Sequence, residues 1–246
     1  MKSRLLVYLT LGFPDNEFVE DFVRTVPEGI VDGFELGLPS SDPRYDGPKI
    51  RSTHENRNHF SLDKMEGILR VCSDRKIPVN VLSYYSDIEN SESSNLLALS
   101  DRSVHEMIVP DLLIDYAEVA DAFISRLKEN GISFIPFFNA ATPDRVIQKY
   151  VNKTNSWIYY GLQPSTGINV PVNISDVVER AKSVIHERDI IFGFGIRNGG
   201  DAMEIMRAGG HGIAIGSAIV DDLARHDKGA AIQKILEYRE AIDSAV

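Results

Sequence analysis

Short apolar runs alternate with longer amphipathic segments from one end of the chain to the other. Runs rich in Val, Ile, Phe and Tyr fall at residues 5–10, 33–38, 79–84, 106–110, 133–138, 156–161, 190–194 and 212–216. Each is too short for a helix and reads as a strand. Between them, apolar positions return every three or four residues. Phe18, Val19, Phe22, Val23 and Val26 share a helical face behind a cap at Asp15. Leu62, Met65, Ile68, Leu69 and Cys72 do the same behind Ser61. A third helix is expected over 115–130, stopped by Asn130-Gly131. The polar, serine-rich stretch 86–103 fits the alternation least well.

Eight strands separated by helices predict a parallel sheet closed into a (β/α)8 TIM barrel, one domain over residues 1–246. An open doubly wound sheet has fewer strands and a switch point. The length suits one such barrel, and no linker, repeat or low-complexity tract divides it. Hydrophobic residues at 43% and charged residues at 25% are those of an ordered globular chain. Cys72 is the only cysteine, which excludes an internal disulfide and a multi-cysteine metal cage. No run is long enough to span a bilayer, and the apolar run after Met1-Lys2-Ser3-Arg4 is too short for a secretory signal, so a cytoplasmic location is expected.

A net charge of -10 argues against nucleic acid or an anionic membrane as partner. A phosphorylated ligand would therefore need a strong local site. Two glycine-rich stretches offer one. Ile191-Phe192-Gly193-Phe194-Gly195-Ile196 and Gly212-Ile213-Ala214-Ile215-Gly216-Ser217 each run from a strand into a turn. In a barrel, the loops after the seventh and eighth strands form the usual phosphate cradle, built from backbone N–H groups and a helix N-terminus. Such loops mark a ligand class and leave the reaction open.

The chemistry is sharper at Gly33-Phe34-Glu35-Leu36-Gly37. Strand alternation sends Phe34, Leu36 and Leu38 to one face and Glu35 to the other. An unpaired buried carboxylate is costly, so Glu35 belongs either to a structural ion pair or to proton chemistry. Asp46 follows in the turn-forming Tyr45-Asp46-Gly47-Pro48, where a second carboxylate can approach the same ligand. His54 and His59 have a spacing that fits no common zinc motif, and His105, His186, His211 and His226 are isolated. Trp157 reads as core.

The stretch Glu35-Leu36-Gly37-Leu38-Pro39-Ser40-Ser41-Asp42-Pro43-Arg44-Tyr45-Asp46-Gly47-Pro48 resembles, without a gap, the signature E-L-G-x-P-F-S-D-P-x-A-D-G-P of the tryptophan synthase alpha subunit family. Ser40 stands where the family has an aromatic residue, and Tyr45 where it has a small one. Gly193-Phe194-Gly195-Ile196 and Gly216-Ser217-Ala218-Ile219-Val220 resemble its two phosphate loops. Weaker likenesses lie at Leu9-Thr10-Leu11-Gly12-Phe13-Pro14, around Tyr84 and at Val109-Pro110-Asp111-Leu112.

The resemblance implies an indole-3-glycerol phosphate lyase that needs no cofactor of its own. Pyridoxal phosphate belongs to the family's beta subunit, the expected partner in an α2β2 assembly. It implies acid–base work for Glu35, an indole N–H acceptor in Asp46, and a phosphate held by Gly167, Gly195, Gly216 and Ser217. Phe194 and Tyr84 would line the pocket, and Thr166 would close the sixth loop onto Asp46.

Three departures accompany it. The chain enters its first strand without the family's preceding helix, so the lower end of the barrel is expected to be covered differently. The sixth loop, Gly161-Leu162-Gln163-Pro164-Ser165-Thr166-Gly167, lacks the family's serine and arginine. Ile158 stands at the family's tyrosine, leaving Tyr159 or Tyr160 as substitutes after a local shift. Two other readings compete. Another phosphate-binding barrel, such as a phosphosugar isomerase or a glycerol-phosphate prenyltransferase, explains Gly195 and Gly216 but leaves the Glu35…Asp46 motif unexplained. A non-catalytic regulator of a beta subunit fits the altered sixth loop and not the retained carboxylates.

Overall fold

The computed structural model describes residues 3–55, 60–90, 94–163 and 173–245. The strands are β1 (Arg4–Thr10), β2 (Gly33–Gly37), β3 (Val79–Leu82), β4 (Glu106–Ile108), β5 (Ser133–Ile135), β6 (Phe137–Asn139), β7 (Ile158–Gly161), β8 (Ile190–Gly193) and β9 (Gly212–Ile215). All pair in parallel, in the order β5-β4-β3-β2-β1-β9-β8-β7-β6. The nine are eight strands with the fifth cut in two. Pro136 has no N–H to give to a ladder, so β5 pairs with β4 and, one residue later, β6 pairs with β7. The cut strand joins both edges of the sheet and closes the barrel.

The surrounding helices are α1 (Asn16–Thr25), α2 (Pro48–Thr53), α3 (Leu62–Asp74), α4 (Tyr85–Asn90), α5 (Ser94–Asp101), α6 (Leu112–Asp115), α7 (Ala120–Glu129), α8 (Asp144–Val151), α9 (Ile174–Val184), α10 (Gly199–Arg207), α11 (Val220–Ala224) and α12 (Lys228–Asp243). Asp15 and Ser61 cap α1 and α3 as their sequence predicts, accepting from the N–H groups of Phe18 and Lys64. The helix expected over 115–130 is instead two, α6 and α7, separated by 116–119. Its predicted stop holds: Asn130 caps α7, and Gly131 takes the left-handed conformation at φ +71°. The serine-rich stretch carries α4 and α5.

Alternation along the strands divides the apolar residues between two cores. Phe34, Leu36, Phe192 and Ile213 face outward, where they pack with helix residues such as Phe22, Ile68 and Ile205. Leu6, Leu82, Ile108, Ile135, Ile191 and Ala214 face inward and fill the barrel. Burying each large side chain contributes about 1.5–3 kcal/mol, so the outer layer dominates stability while the inner one shapes the site.

The N-terminal ends of the strands are sealed by charged residues. The Arg4 guanidinium lies 5.5 Å above the Trp157 ring and 3.3 Å from Asp189, at the starts of β1, β7 and β8. Arg239, buried on α12, reaches Asp32 at 2.7 Å and the Ser3 carbonyl at 3.0 Å, which clamps the last helix across the starts of β1 and β2. These contacts cover the lower end of the barrel. No helix of the described residues is long and apolar enough to cross a membrane.

Candidate active site

Glu35 lies in the middle of the sheet, in register with Tyr8 on β1 and Asn80 on β3. It points into the barrel and is 1% exposed. Among the described residues, neither its Oε1 nor the buried Oδ1 of Asn80 has a hydrogen-bond partner. Buried polar atoms are nearly always satisfied, so two such orphans side by side mark a place kept for something else. Among the described residues no cation approaches to hold the charge, and burial alone pushes the Glu35 carboxyl up to about 8. Of the two sequence readings of Glu35, the structural ion pair is therefore absent among the described residues.

Two tyrosines wall the same space. Tyr8 and Tyr159 rise from β1 and β7, and their hydroxyls occupy the room that side chains at Gly37 and Gly193 would need. The motif glycines beside Glu35 and Phe194 thus serve packing inside the barrel. Pro136, through its carbonyl, accepts the Tyr159 N–H at 3.0 Å, which seats that residue at the break in the fifth strand. Tyr160 points outward, its hydroxyl 2.8 Å from Arg180. Of the two candidates left open by the sequence, Tyr159 is the one inside. Burial raises the Tyr8 and Tyr159 hydroxyls well above the ordinary tyrosine range, so both stay neutral donors.

Asp46 reaches the cavity from the loop after β2 and is also buried. Its Oδ2 accepts the Tyr84 hydroxyl at 2.9 Å, and its backbone carbonyl accepts Arg51 at 2.9 Å. His54, at the end of α2, places Nε2 3.3 Å from Asp46 Oδ2. Sequence reasoning sets His54 aside with the other histidines and misses Tyr8. For Tyr8, its register opposite Glu35 is the signal that finds it; for His54, it is the short helix that follows Pro48.

Across the cavity, Phe194, Gly195, Gly216 and Ser217 complete the lining. Phe194 holds φ +56°, rare for a bulky residue, and is fixed by its ring contacts at 4.9 Å with Phe137 and 5.7 Å with Tyr159. Gly195 follows at φ +113°, where a side chain would also strike Gln163. Among the described residues, no loop or turn backbone bond takes up the N–H groups of Gly195, Gly216 or Ser217. The helix after each loop is real but unequal: α10 has nine residues, α11 only five. Thr166 and Gly167 lie outside the described residues, as does His59.

The fold and these placements define a (β/α)8 barrel whose chemistry gathers at the C-terminal mouth. Two buried carboxylates stand on one side and two glycine turns on the other. A family model for the tryptophan synthase alpha chain matches residues 1–246. The alpha chain of Saccharolobus solfataricus is 30% identical over 99% of this chain and 98% of its own length. That of Sulfurisphaera tokodaii is 28% identical over 99% of both. Among solved structures, a mutant alpha subunit from Pyrococcus furiosus superposes with a TM-score of 0.84 at 26% identity, covering 97% of this chain and 99% of the other. A structure concerned with mutual activation of the tryptophan synthase α2β2 complex from the same organism gives 0.82 at 26% identity, with the same coverage. The chain belongs to the tryptophan synthase alpha chain family. Membership places it among the enzymes of tryptophan biosynthesis.

Proposed function

We propose that the chain cleaves indole-3-glycerol phosphate to indole and glyceraldehyde 3-phosphate, with Glu35 as the acid and base of the reaction. The observation that carries this reading is Glu35 itself: a carboxyl group held protonated at neutral pH, with an orphaned oxygen, in the cavity that Asp46 and both glycine turns share. The protonated group gives its proton to C3 of the indole, which places positive charge on the ring nitrogen. Asp46 accepts the ring N–H and stabilises that charge. The Glu35 carboxylate then takes the proton of the side-chain hydroxyl, the carbonyl forms, and the carbon–carbon bond breaks with its electron pair returning to the ring. One group both gives and takes the proton, so Glu35 ends as it began.

The N–H groups at Gly195, Gly216 and Ser217 hold the phosphate, with Gly167 as a further member on the family resemblance. This arrangement needs no lysine or arginine and so suits an acidic protein. Phosphate binding far from the reacting bond fixes its orientation. Phe194 lines the pocket, Tyr84 acts on it through Asp46, and on the family resemblance Thr166 belongs to the loop that closes over the substrate. Each step is a proton transfer or a bond cleavage that the two carboxylates serve, so the scheme uses no cofactor on this chain. Its partner is a beta subunit in an α2β2 assembly, the arrangement named for the Pyrococcus furiosus complex, and that subunit receives the indole. The test is indole release from indole-3-glycerol phosphate by the purified chain, with and without a beta subunit. A folded protein that releases none in either case overturns the reading.

A further inference from the structure

We infer that His54 is a positioning residue for Asp46, fixing its carboxylate through a proton held on Nε2; this rests on the role proposed above for Asp46. His54 is 3% exposed, although it follows a short surface helix in a polar stretch. Burying an imidazole there costs stability unless both ring nitrogens have work. One is accounted for. The backbone N–H of Ser40 donates to Nδ1 at 2.9 Å. A nitrogen that accepts carries no proton, so the neutral ring carries its proton on Nε2.

That nitrogen is buried and faces Asp46 Oδ2 at 3.3 Å, with its N–H off the line of a full hydrogen bond. The same oxygen accepts the Tyr84 hydroxyl. Tyr84 comes from the end of β3 and His54 from the end of α2, so the carboxylate is flanked by two donors from separate elements. A small rotation of the carboxylate aligns the second. Asp46 is then left with Oδ1 as the oxygen to offer to a ring N–H. Ser40 gives this arrangement a feature of its own. Its N–H sets the tautomer of His54, while its hydroxyl bonds Asp87 at 2.5 Å, so the start of the loop and the orientation of Asp46 are fixed together.

Glutamine and asparagine separate the two ring nitrogens as tests. His54→Gln can present a donor where Nε2 lies. His54→Asn can accept from Ser40 and cannot reach Asp46, and His54→Phe does neither. With indole-3-glycerol phosphate, His54→Phe and His54→Asn should lose about tenfold or more in kcat with KM within about twofold, because the phosphate turns are untouched. His54→Gln should recover to within about threefold of wild type. Ring 15N spectra of the wild type should show a neutral imidazole protonated on Nε2, and Asp46→Asn should move that resonance. The spectra and the glutamine variant keep the inference testable if His54→Phe fails to fold. An active wild type whose His54→Phe variant keeps its kcat overturns the inference, as do rescue by asparagine instead of glutamine and a proton found on Nδ1. An inactive wild type overturns the lyase reading instead, while the tautomer and its response to Asp46→Asn still report whether the pair exists.

Discussion

Glu35 and Asp46 meet the same cavity from opposite kinds of support. Glu35 stands on the sheet, where backbone pairing on both sides fixes its position, and no described side chain takes its Oε1. Asp46 hangs from a loop and is held by Tyr84 and Arg51, with His54 Nε2 3.3 Å away. The difference fits the two tasks proposed for them. A group that must exchange protons benefits from isolation, because every fixed partner would favour one protonation state. A group that must only offer charge in one direction benefits from partners that hold it still. A rigid strand supplies position without chemistry; a loop must be given position by side chains.

The sharpest way to break this comparison is to remove the proton from the isolated member. Glu35→Gln keeps the shape and should lower turnover by at least about 10²-fold with the fold intact. Asp46→Asn should fall by about tenfold to 10²-fold, since it keeps the geometry and loses the charge. Steady-state indole release measures both. Near wild-type turnover in Glu35→Gln would end the mechanism, and a larger loss in Asp46→Asn than in Glu35→Gln would reverse the division of labour.

Isolation also has a thermodynamic signature. The Glu35 carboxyl rises from 4.5 to about 8 through burial alone. Between those values the unfolded chain ionises at this position and the folded chain does not. The contribution to stability is therefore fully present below about pH 4.5 and is lost as pH rises toward 8, by about 1.4 kcal/mol per pH unit. Glu35→Gln removes the dependence, so its advantage in urea midpoint over the wild type should widen from pH 5 to pH 8. In the active enzyme the protonated form acts first, so kcat/KM should decline above about pH 8. A urea midpoint difference that stays flat across this range would mean that Glu35 has a partner after all.

How much of this was legible in the sequence follows from the same contrast. Strand alternation is local, so the eight strands, the inward turn of Glu35 and the caps at Asp15 and Ser61 could be read from short windows. The two halves of the fifth strand could not, because the effect of Pro136 depends on which neighbour each half pairs with. His54 was passed over because its partners, Ser40 and Asp46, are brought to it by the fold of a loop and not by any periodic spacing. Tyr159 stayed ambiguous against Tyr160 for a related reason: a shift of one residue in a strand exchanges inside for outside. The helix expected over 115–130 starts later than expected: Asp115 closes α6, 116–119 are not helical, and α7 begins at Ala120.

The opposite wall of the cavity gives a smaller effect of a different kind. A side chain at Gly216 would come within 3.1 Å of the Tyr8 ring, in the turn proposed to hold the phosphate. Gly216→Val should therefore raise KM by about tenfold with a lesser change in kcat, and should weaken protection by inorganic phosphate in thermal melts. An unchanged KM would move the phosphate away from this turn.

The smallest expected effect tests whether the grip on the Asp46 loop is set by this chain or by its partner. The two departures from the family motif both hold that loop. Ser40 bonds Asp87 through its hydroxyl, and the Tyr45 hydroxyl lies 3.1 Å from Asp115, which also meets Arg44 at 3.2 Å. These ties join the loop to α4 and α6 within a single subunit. Each is partly exposed and contributes at most about 1 kcal/mol, so each can shift a loop equilibrium by only a few-fold. A beta subunit that orders the same loop would have less to add where the ties are intact. Ser40→Ala and Tyr45→Phe should each lower indole release by the isolated chain about two- to fivefold, while activity in the complex stays nearly constant, so that activation by the beta subunit rises by the same factor. Steady-state assays with saturating beta subunit, and light scattering to establish the complex, measure both quantities. If the variants lose activity equally alone and in the complex, the ties serve the site directly, and the loop is not what the partner orders.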